Sequence, residues 1–291
     1  MKITHALLGM VLAFFALAAQ AQRDPGQIIQ ELQKLAWQRA PGEGAIGAKA
    51  KIRIPEGYSF LDERNTRRFL ELMGNPPRDG HYLIAPANLD WFAVFSFDPV
   101  GYVKDDEKID AAALLETLKK GDEPGNEERK RLGMSPIYTD GWHVPPHYDS
   151  GTKRLEWGMR LRDDGGGMHV NYTSRLLGRS GVMSAVLVSS PQTLNDDMQA
   201  FNGALAGYQF VAGEQYAEFK SGDKIAEYGL AALVVGGAAA AAAKAGLFKS
   251  LGKFLWVIVG GGLMGGWALL KKLFARKEEV KPGPPPSPGQ L

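Results

Sequence analysis

Two histidines and an aspartate fall within seven residues in the run Trp142-His143-Val144-Pro145-Pro146-His147-Tyr148-Asp149. Imidazole and carboxylate at that density are ligands for zinc or another divalent cation. The two prolines exclude the helical face that pairs histidines in zinc proteases. In extended backbone, however, the even spacing places His143 and His147 on one side. The plainer reading makes Pro145-Pro146 a rigid turn with Trp142 and Tyr148 packed beside it. A metal site at His143, His147 and Asp149 is one expectation, and with His169 it defines a hydrolase or metal-dependent enzyme.

A second set lies just downstream: Glu156 and Arg160 on one segment, His169, Asn171 and Arg175 on the next, and Arg179 at the turn that follows. Opposite charges on neighbouring strands make cross-strand pairs, which is a stability role. Read functionally, Arg175 and Arg179 clamp an anion through their planar forks, with Glu156 and His169 as neighbours in the ligand site. Other candidates carry less. The acidic group Asp105, Asp106, Glu107 and Asp110 lacks calcium-loop spacing and reads as a solvated helix start. Gly165-Gly166-Gly167 and the Gly121–Gly125 stretch are turn chemistry, since no lysine followed by serine or threonine makes them phosphate loops. Gly178-Arg179-Ser180-Gly181 is not the nucleophile elbow, which flanks its serine with one residue on each side.

These residues need a scaffold, and the pattern along the chain supplies one. From Lys153 to Arg162, Leu155, Trp157, Met159 and Leu161 alternate with Arg154, Glu156, Arg160 and Arg162, the period of a half-buried strand. Asp163-Asp164 and the three glycines turn it into a strand over Met168 to Leu177, and Gly178 to Gly181 turn that into Val182 to Ser189. Three consecutive strands with short turns make an antiparallel meander. Shorter strands are expected over Lys49 to Ile54, His81 to Ala85, Trp91 to Phe97 and Tyr208 to Ala212. Helices are expected over Pro25 to Gln38, Asp62 to Met73, Asp110 to Lys120, Asn126 to Leu132 and Pro191 to Ala206. The expected fold is an α+β domain, a largely antiparallel sheet with helices on one face.

Composition narrows the possibilities. Of 291 residues, 23% are charged and 45% apolar, with a net charge of +2, so nucleic acid is not an expected partner. The absence of cysteine excludes disulfides, thiolate metal sites and cysteine nucleophiles. No motif implies a cofactor.

The two ends set the expected compartment. Lys2, the apolar stretch Ala6 to Ala19 and Ala19-Gln20-Ala21 have the order of a secretory signal, residues 1–21. The apolar stretch falls short of the roughly 20 residues that span a bilayer. Residues 22–222 are then the exported domain and 223–274 a membrane anchor. The anchor holds two apolar stretches, Ile225 to Ala243 and Phe254 to Leu270, separated by Lys244, Lys249 and Lys253. Trp256 and Trp267 near the ends of the second suit the interfaces. A hairpin would bring Gly236, Ala240, Gly261, Gly262, Gly265 and Gly266 to a close seam. A single span at 254–270 would keep Lys271, Lys272, Arg276 and Lys277 inside, as the charge rule prefers. The seam tilts the reading to the hairpin. Residues 275–291 are proline-rich and read as a disordered tail.

Several short pieces belong together: Gly74-Asn75-Pro76-Pro77, Gly101-Tyr102-Val103-Lys104-Asp105-Asp106, Asn126-Glu127-Glu128-Arg129, Gly141-Trp142 and Pro146-His147-Tyr148-Asp149. Leu155-Glu156-Trp157, Val170-Asn171-Tyr172 and Leu177-Gly178-Arg179-Ser180-Gly181-Val182 join them. As a set, spread over roughly residues 25 to 275, they resemble a bacterial family of membrane-anchored proteins, domain of unknown function 2167. The resemblance implies architecture and membrane attachment. It assigns no activity, cofactor or site residue. The expected protein is a periplasmic domain held to the inner membrane of a Gram-negative bacterium, binding or scaffolding an envelope or membrane protein, with the bilayer itself as a partner.

Overall fold

The computed structural model describes residues 25–236 except 74, 76 and 132–134. The expected signal, the second apolar stretch and the tail lie outside the described residues. The chain divides into two units. Helix α1 (Pro25–Gln33) belongs to one, and Leu35–Gly266 form the other. Helix α1 carries the predicted Ile28, Ile29 and Leu32 spacing and ends earlier than the pattern suggested.

The larger unit is built on strands β1 (Gln38–Arg39), β2 (Gly42–Ile46), β3 (Ala50–Ile54), β4 (Tyr58–Leu61), β5 (His81–Pro86), β6 (Phe92–Asp98), β7 (Ile137–Asp149), β8 (Arg154–Asp163), β9 (Met168–Leu177), β10 (Val182–Val188) and β11 (Tyr208–Phe210). Its helices are α2 (Glu63–Leu72), α3 (Ala111–Arg131), α4 (Leu194–Leu205) and α5 (Leu230–Val235). Eight strands form one antiparallel sheet in the order β1-β4-β5-β6-β10-β9-β8-β7, and a second sheet runs β11-β3-β2. The expected meander is β8-β9-β10, and β6 pairs with β10 along Val182↔Asp98 to Val188↔Phe92.

Helices cover both faces of the large sheet, where the sequence led us to expect one. The alternation along β10 shows it: Met183, Ala185 and Leu187 join a core with Phe201 and Leu194 of α4 and Ile52 and Ile54 of the small sheet. Val182, on the opposite side, joins Leu155, Trp157, Met159 and Leu161 of β8 under Leu114 and Leu118 of α3 and Leu230 and Leu233 of α5. Helix α2 lies on this second face too, through Phe69 against Phe92 at 5.1 Å between ring centroids. The helix starts are written in the sequence. Asp62 accepts from the Asn65 N–H and Asp110 from those of Ala112 and Ala113, which satisfies donors that have no partner within the helix.

Two local expectations change. Residues His143 to Asp149 are not a turn but part of β7, the outermost strand of the large sheet, and Pro145 and Pro146 fall in the register break between Val144 and His147, where an edge strand tolerates residues without an N–H. The two helices expected within residues 110–132 are a single one, α3, with Pro124 inside it.

The third change concerns the first apolar stretch. Ile225 bridges Tyr102, the Tyr102 N–H donates to the Lys224 carbonyl at 2.8 Å, and the Ala226 N–H returns to Tyr102 at 2.9 Å. Leu230, Leu233 and Val234 are buried in the second-face core. Helix α5 starts after Gly229, where Glu107 accepts from the Ala231 N–H, and stops at Gly236 with a left-handed φ of 105°. Six helical residues rise only about 9 Å, far short of a bilayer. Residues 225–236 therefore belong to the folded domain, which extends past the boundary expected at 222, and the hairpin loses the described part of its first arm. Among the described residues, no helix is long and apolar enough to cross a membrane. Residues 220–235 thus form a strap held against the rest of the domain.

Candidate functional site

The strand alternation that builds the meander also sorts its polar residues. In the β8–β9 register Arg175 stands opposite Leu155 and His169 opposite Leu161, whereas Glu156 stands opposite Ser174. Glu156 thus lies on the α4 face, while His169 and Arg175 lie on the α3 face. The single ligand site expected from these residues is split. Shifting a strand by one residue exchanges its faces, and nothing in the sequence fixed that register.

On the α4 face, Arg154 donates to Glu156, to Asn202 of α4 at 2.6 Å and to Ser174 at 3.3 Å. Burial, with Glu156 next, pushes the Tyr172 hydroxyl up to about 12. This network pins α4 to the sheet and leaves the Glu156 carboxylate engaged. His147 approaches it at 3.7 Å, and its other ring nitrogen faces the Pro145 carbonyl at 3.3 Å. His143 sits 3.2 Å from the Asn195 side chain. Asp149 accepts from Gly151 N–H and Thr152 at the β7–β8 turn. Register shifts between Trp142 and His147 break the alternation on which the pairing of the two histidines depended. His143, His147 and Asp149 therefore do not converge, and among the described residues no three histidine or acidic side chains are grouped to hold a metal ion.

On the α3 face, His169 closes the β8–β9 hairpin against Asp163 at 2.9 Å, with the Gly167 N–H on the same carboxylate. Beyond the other end of β9, Arg179 is held bidentately by Asp223 of the strap, both contacts at 2.7 Å. That contact holds the Asp223 carboxyl down at about 2. Alongside, Lys49 reaches Glu214 at 2.5 Å and Ser180 at 3.1 Å. Arg179 is consumed internally, so the two-arginine clamp does not form.

Arg175 differs. Its side chain makes no ion pair or hydrogen bond with any described residue, and its buried Nε has no partner. Ser184, buried, stands beside it on β10, and Ser96 beside that on β6. Asp98 at the end of β6 and Tyr228 of the strap are close enough to act on Arg175 electrostatically without bonding to it. The Tyr228 hydroxyl is likewise buried and unpartnered. Burial lowers Arg175 and raises Asp98, while Arg175 and Lys224 pull Asp98 back. Burial also pushes Tyr228 up to about 12, with Asp98 adding to the rise. The unpartnered Arg175 side chain is the candidate binding group.

The sequence reading included Arg175 among its candidates and did not include Asp98, Lys224 or Tyr228. Glu227-Tyr228-Gly229 inside an otherwise apolar stretch was the available signal, because a charge and a glycine interrupt any membrane helix there.

The described unit is thus an α+β domain, a large antiparallel sheet with helices and a small sheet layered over its faces. The family model "Protein of unknown function (DUF2167)" matches residues 38–266, and the chain belongs to that family. No curated protein matches. Among solved structures, the solution structure of cyanobacterial PsbP (CyanoP) from Synechocystis sp. PCC 6803 is similar at 10% identity, covering 60% of this chain and 93% of that one, with a TM-score of 0.34, too faint to build on.

Proposed function

We propose that this protein is an export-targeted domain tethered by one membrane span at residues 254–270, displayed in the periplasm to bind an envelope component. One observation carries the change from hairpin to single span. Leu230, Leu233 and Val234, the apolar side chains that would have faced lipid in a first arm, are buried against α3 and β8 instead. One span orients Lys271, Lys272, Arg276 and Lys277 to the cytoplasm, in accord with the charge rule. Binding is favoured over catalysis because the titratable candidates Glu156 and His169 are engaged internally, Glu156 with Arg154 and His169 with Asp163.

A fluorescent reporter that matures only in the cytoplasm, fused after Leu291, tests the topology. One span gives fluorescent cells with the domain sensitive to protease in spheroplasts. A hairpin gives dark cells, which would refute the reading. Purification in mild detergent tests the binding role: a stoichiometric companion supports it, and single-residue loss of a measurable turnover would overturn it.

A further inference from the structure

We propose that a polar row across the middle of the large sheet, Arg175, Ser184, Ser96 and His81, binds a sugar acid, with the carboxylate on Arg175 and the ring hydroxyls on the residues beyond it. The row follows from strand register. Arg175 of β9 stands opposite Ser184 of β10, Ser184 opposite Ser96 of β6, and Ser96 opposite His81 of β5. Directly opposed residues share a face, so the four side chains lie together on the α3 side of the sheet. Thr173, two residues before Arg175 on β9, lies on that face too. Neighbouring strands are about 4.8 Å apart, so the row runs about 14 Å.

The helices leave this strip between them. The core beneath α3 and α5 gathers on β8 and on Leu177 and Val182. Helix α2 is seated on the other flank, over β4 and β5, with Phe69 on Phe92. In the strip, Arg175, Ser96, His81 and Val186 are half-buried. Ser184 and Thr173 are only 5% and 3% exposed, and their hydroxyls bond to no described residue, yet neither oxygen is sealed from water. A crevice therefore reaches the floor of the row.

The groups along the row select the ligand. The Arg175 side chain has no carboxylate partner among the described residues and its buried Nε is unanswered, so its fork calls for a two-oxygen anion. Serine and threonine hydroxyls both donate and accept, which matches ligand hydroxyls rather than further charge. His81 meets the Asp79 carbonyl through Nδ1 at 2.8 Å, which leaves Nε2 as an acceptor for one more hydroxyl. An extended peptide is disfavoured, because β9, β10 and β6 are interior strands paired on both sides and offer no free edge. A simple anion would answer Arg175 and leave the hydroxyls unused. A carboxylate carried on a ring of hydroxyls answers both. The site depends neither on the span at 254–270 nor on a protein companion.

The test is a thermal-unfolding titration of the full-length protein in detergent with glucuronate, and with glucose and acetate at matched ionic strength. Glucuronate should raise the midpoint saturably, and glucose and acetate at the same concentrations should not. Arg175→Met removes the fork and should abolish the shift. Ser184→Ala removes one hydroxyl and should weaken the apparent affinity about tenfold while the protein stays folded. A glucuronate shift in a protein that purifies without a companion upholds the site and counts only against a protein partner, so the two readings fail separately. The proposal is overturned if glucuronate leaves the midpoint unmoved, if acetate or glucose serves as well, or if Ser184→Ala responds like wild type.

Discussion

Arg175 and Arg179 sit four residues apart at the end of one strand, and the protein treats them oppositely. At the rim of the strap, Arg179, Asp223, Lys49, Glu214 and Ser180 answer one another completely. By contrast, the Arg175 Nε and the Tyr228 hydroxyl are buried without a partner among the described residues. The first region behaves as a clasp, in which complementary charges fix a chain segment. The second holds polar groups at a cost that folding alone does not require, since an unsatisfied buried donor destabilises by about 1–3 kcal/mol. Spending stability on unpaired groups beside a satisfied clasp is the pattern of a binding site.

The comparison breaks if the strap is a passive linker. Leu230→Ala empties a fully buried position in α5 and should cost about 2–5 kcal/mol in urea unfolding followed by tryptophan fluorescence. A loss below about 0.5 kcal/mol, typical of surface positions, would show that the strap is not part of the core. Gly101→Ala comes next. Gly101 has φ +99°, and an added Cβ would lie 2.6 Å from the Lys224 carbonyl oxygen. The backbone pairing of Tyr102 with the strap must then open, at about 1–3 kcal/mol, with faster hydrogen exchange at the Ala226 amide as the local readout.

The clasp should also be visible in pH dependence. Arg179 lowers the folded Asp223 carboxyl from 3.8 to about 2. A depressed folded value means that the stabilisation is present above the unfolded value and disappears as pH falls through the folded one. The Asp223 contribution should therefore be whole above about pH 4 and vanish towards pH 2. Asp223→Asn should flatten the stability profile in that window and leave the slope above it unchanged. An identical profile in the variant would mean that the ion pair does not hold the strap in solution.

Much of this was legible in the residues. The alternation from Leu155 to Leu161 is a local property, and it marks the buried face of β8 correctly. Which polar residues share a face across strands is not local. It depends on a register set by long-range packing, so Glu156 and Arg175 were grouped although they lie on opposite faces. Strand β7 was hidden by Pro145 and Pro146, whose cost disappears only at a sheet edge. Leu230, Leu233 and Val234 were assigned to lipid because apolar side chains look alike whether a bilayer or a core receives them. The distinguishing marks were Glu227, Gly229 and Gly236, which interrupt a span and bound a short helix.

The smallest expected effect is the most discriminating. Tyr228→Phe removes one oxygen and keeps the ring, which packs against the core on the second face of the sheet. If the hydroxyl served the fold, its loss would cost about 0.5–1.5 kcal/mol, as for an ordinary hydrogen bond. Because it has no partner among the described residues, the variant should be at least as stable as wild type. Arg179→Met, by contrast, opens the clasp and should lower the midpoint in every buffer. The two variants together separate the regions: opening the clasp lowers stability, and removing the Tyr228 hydroxyl does not. A clear destabilisation by Tyr228→Phe would place this hydroxyl among the structural contacts and merge the two regions into one.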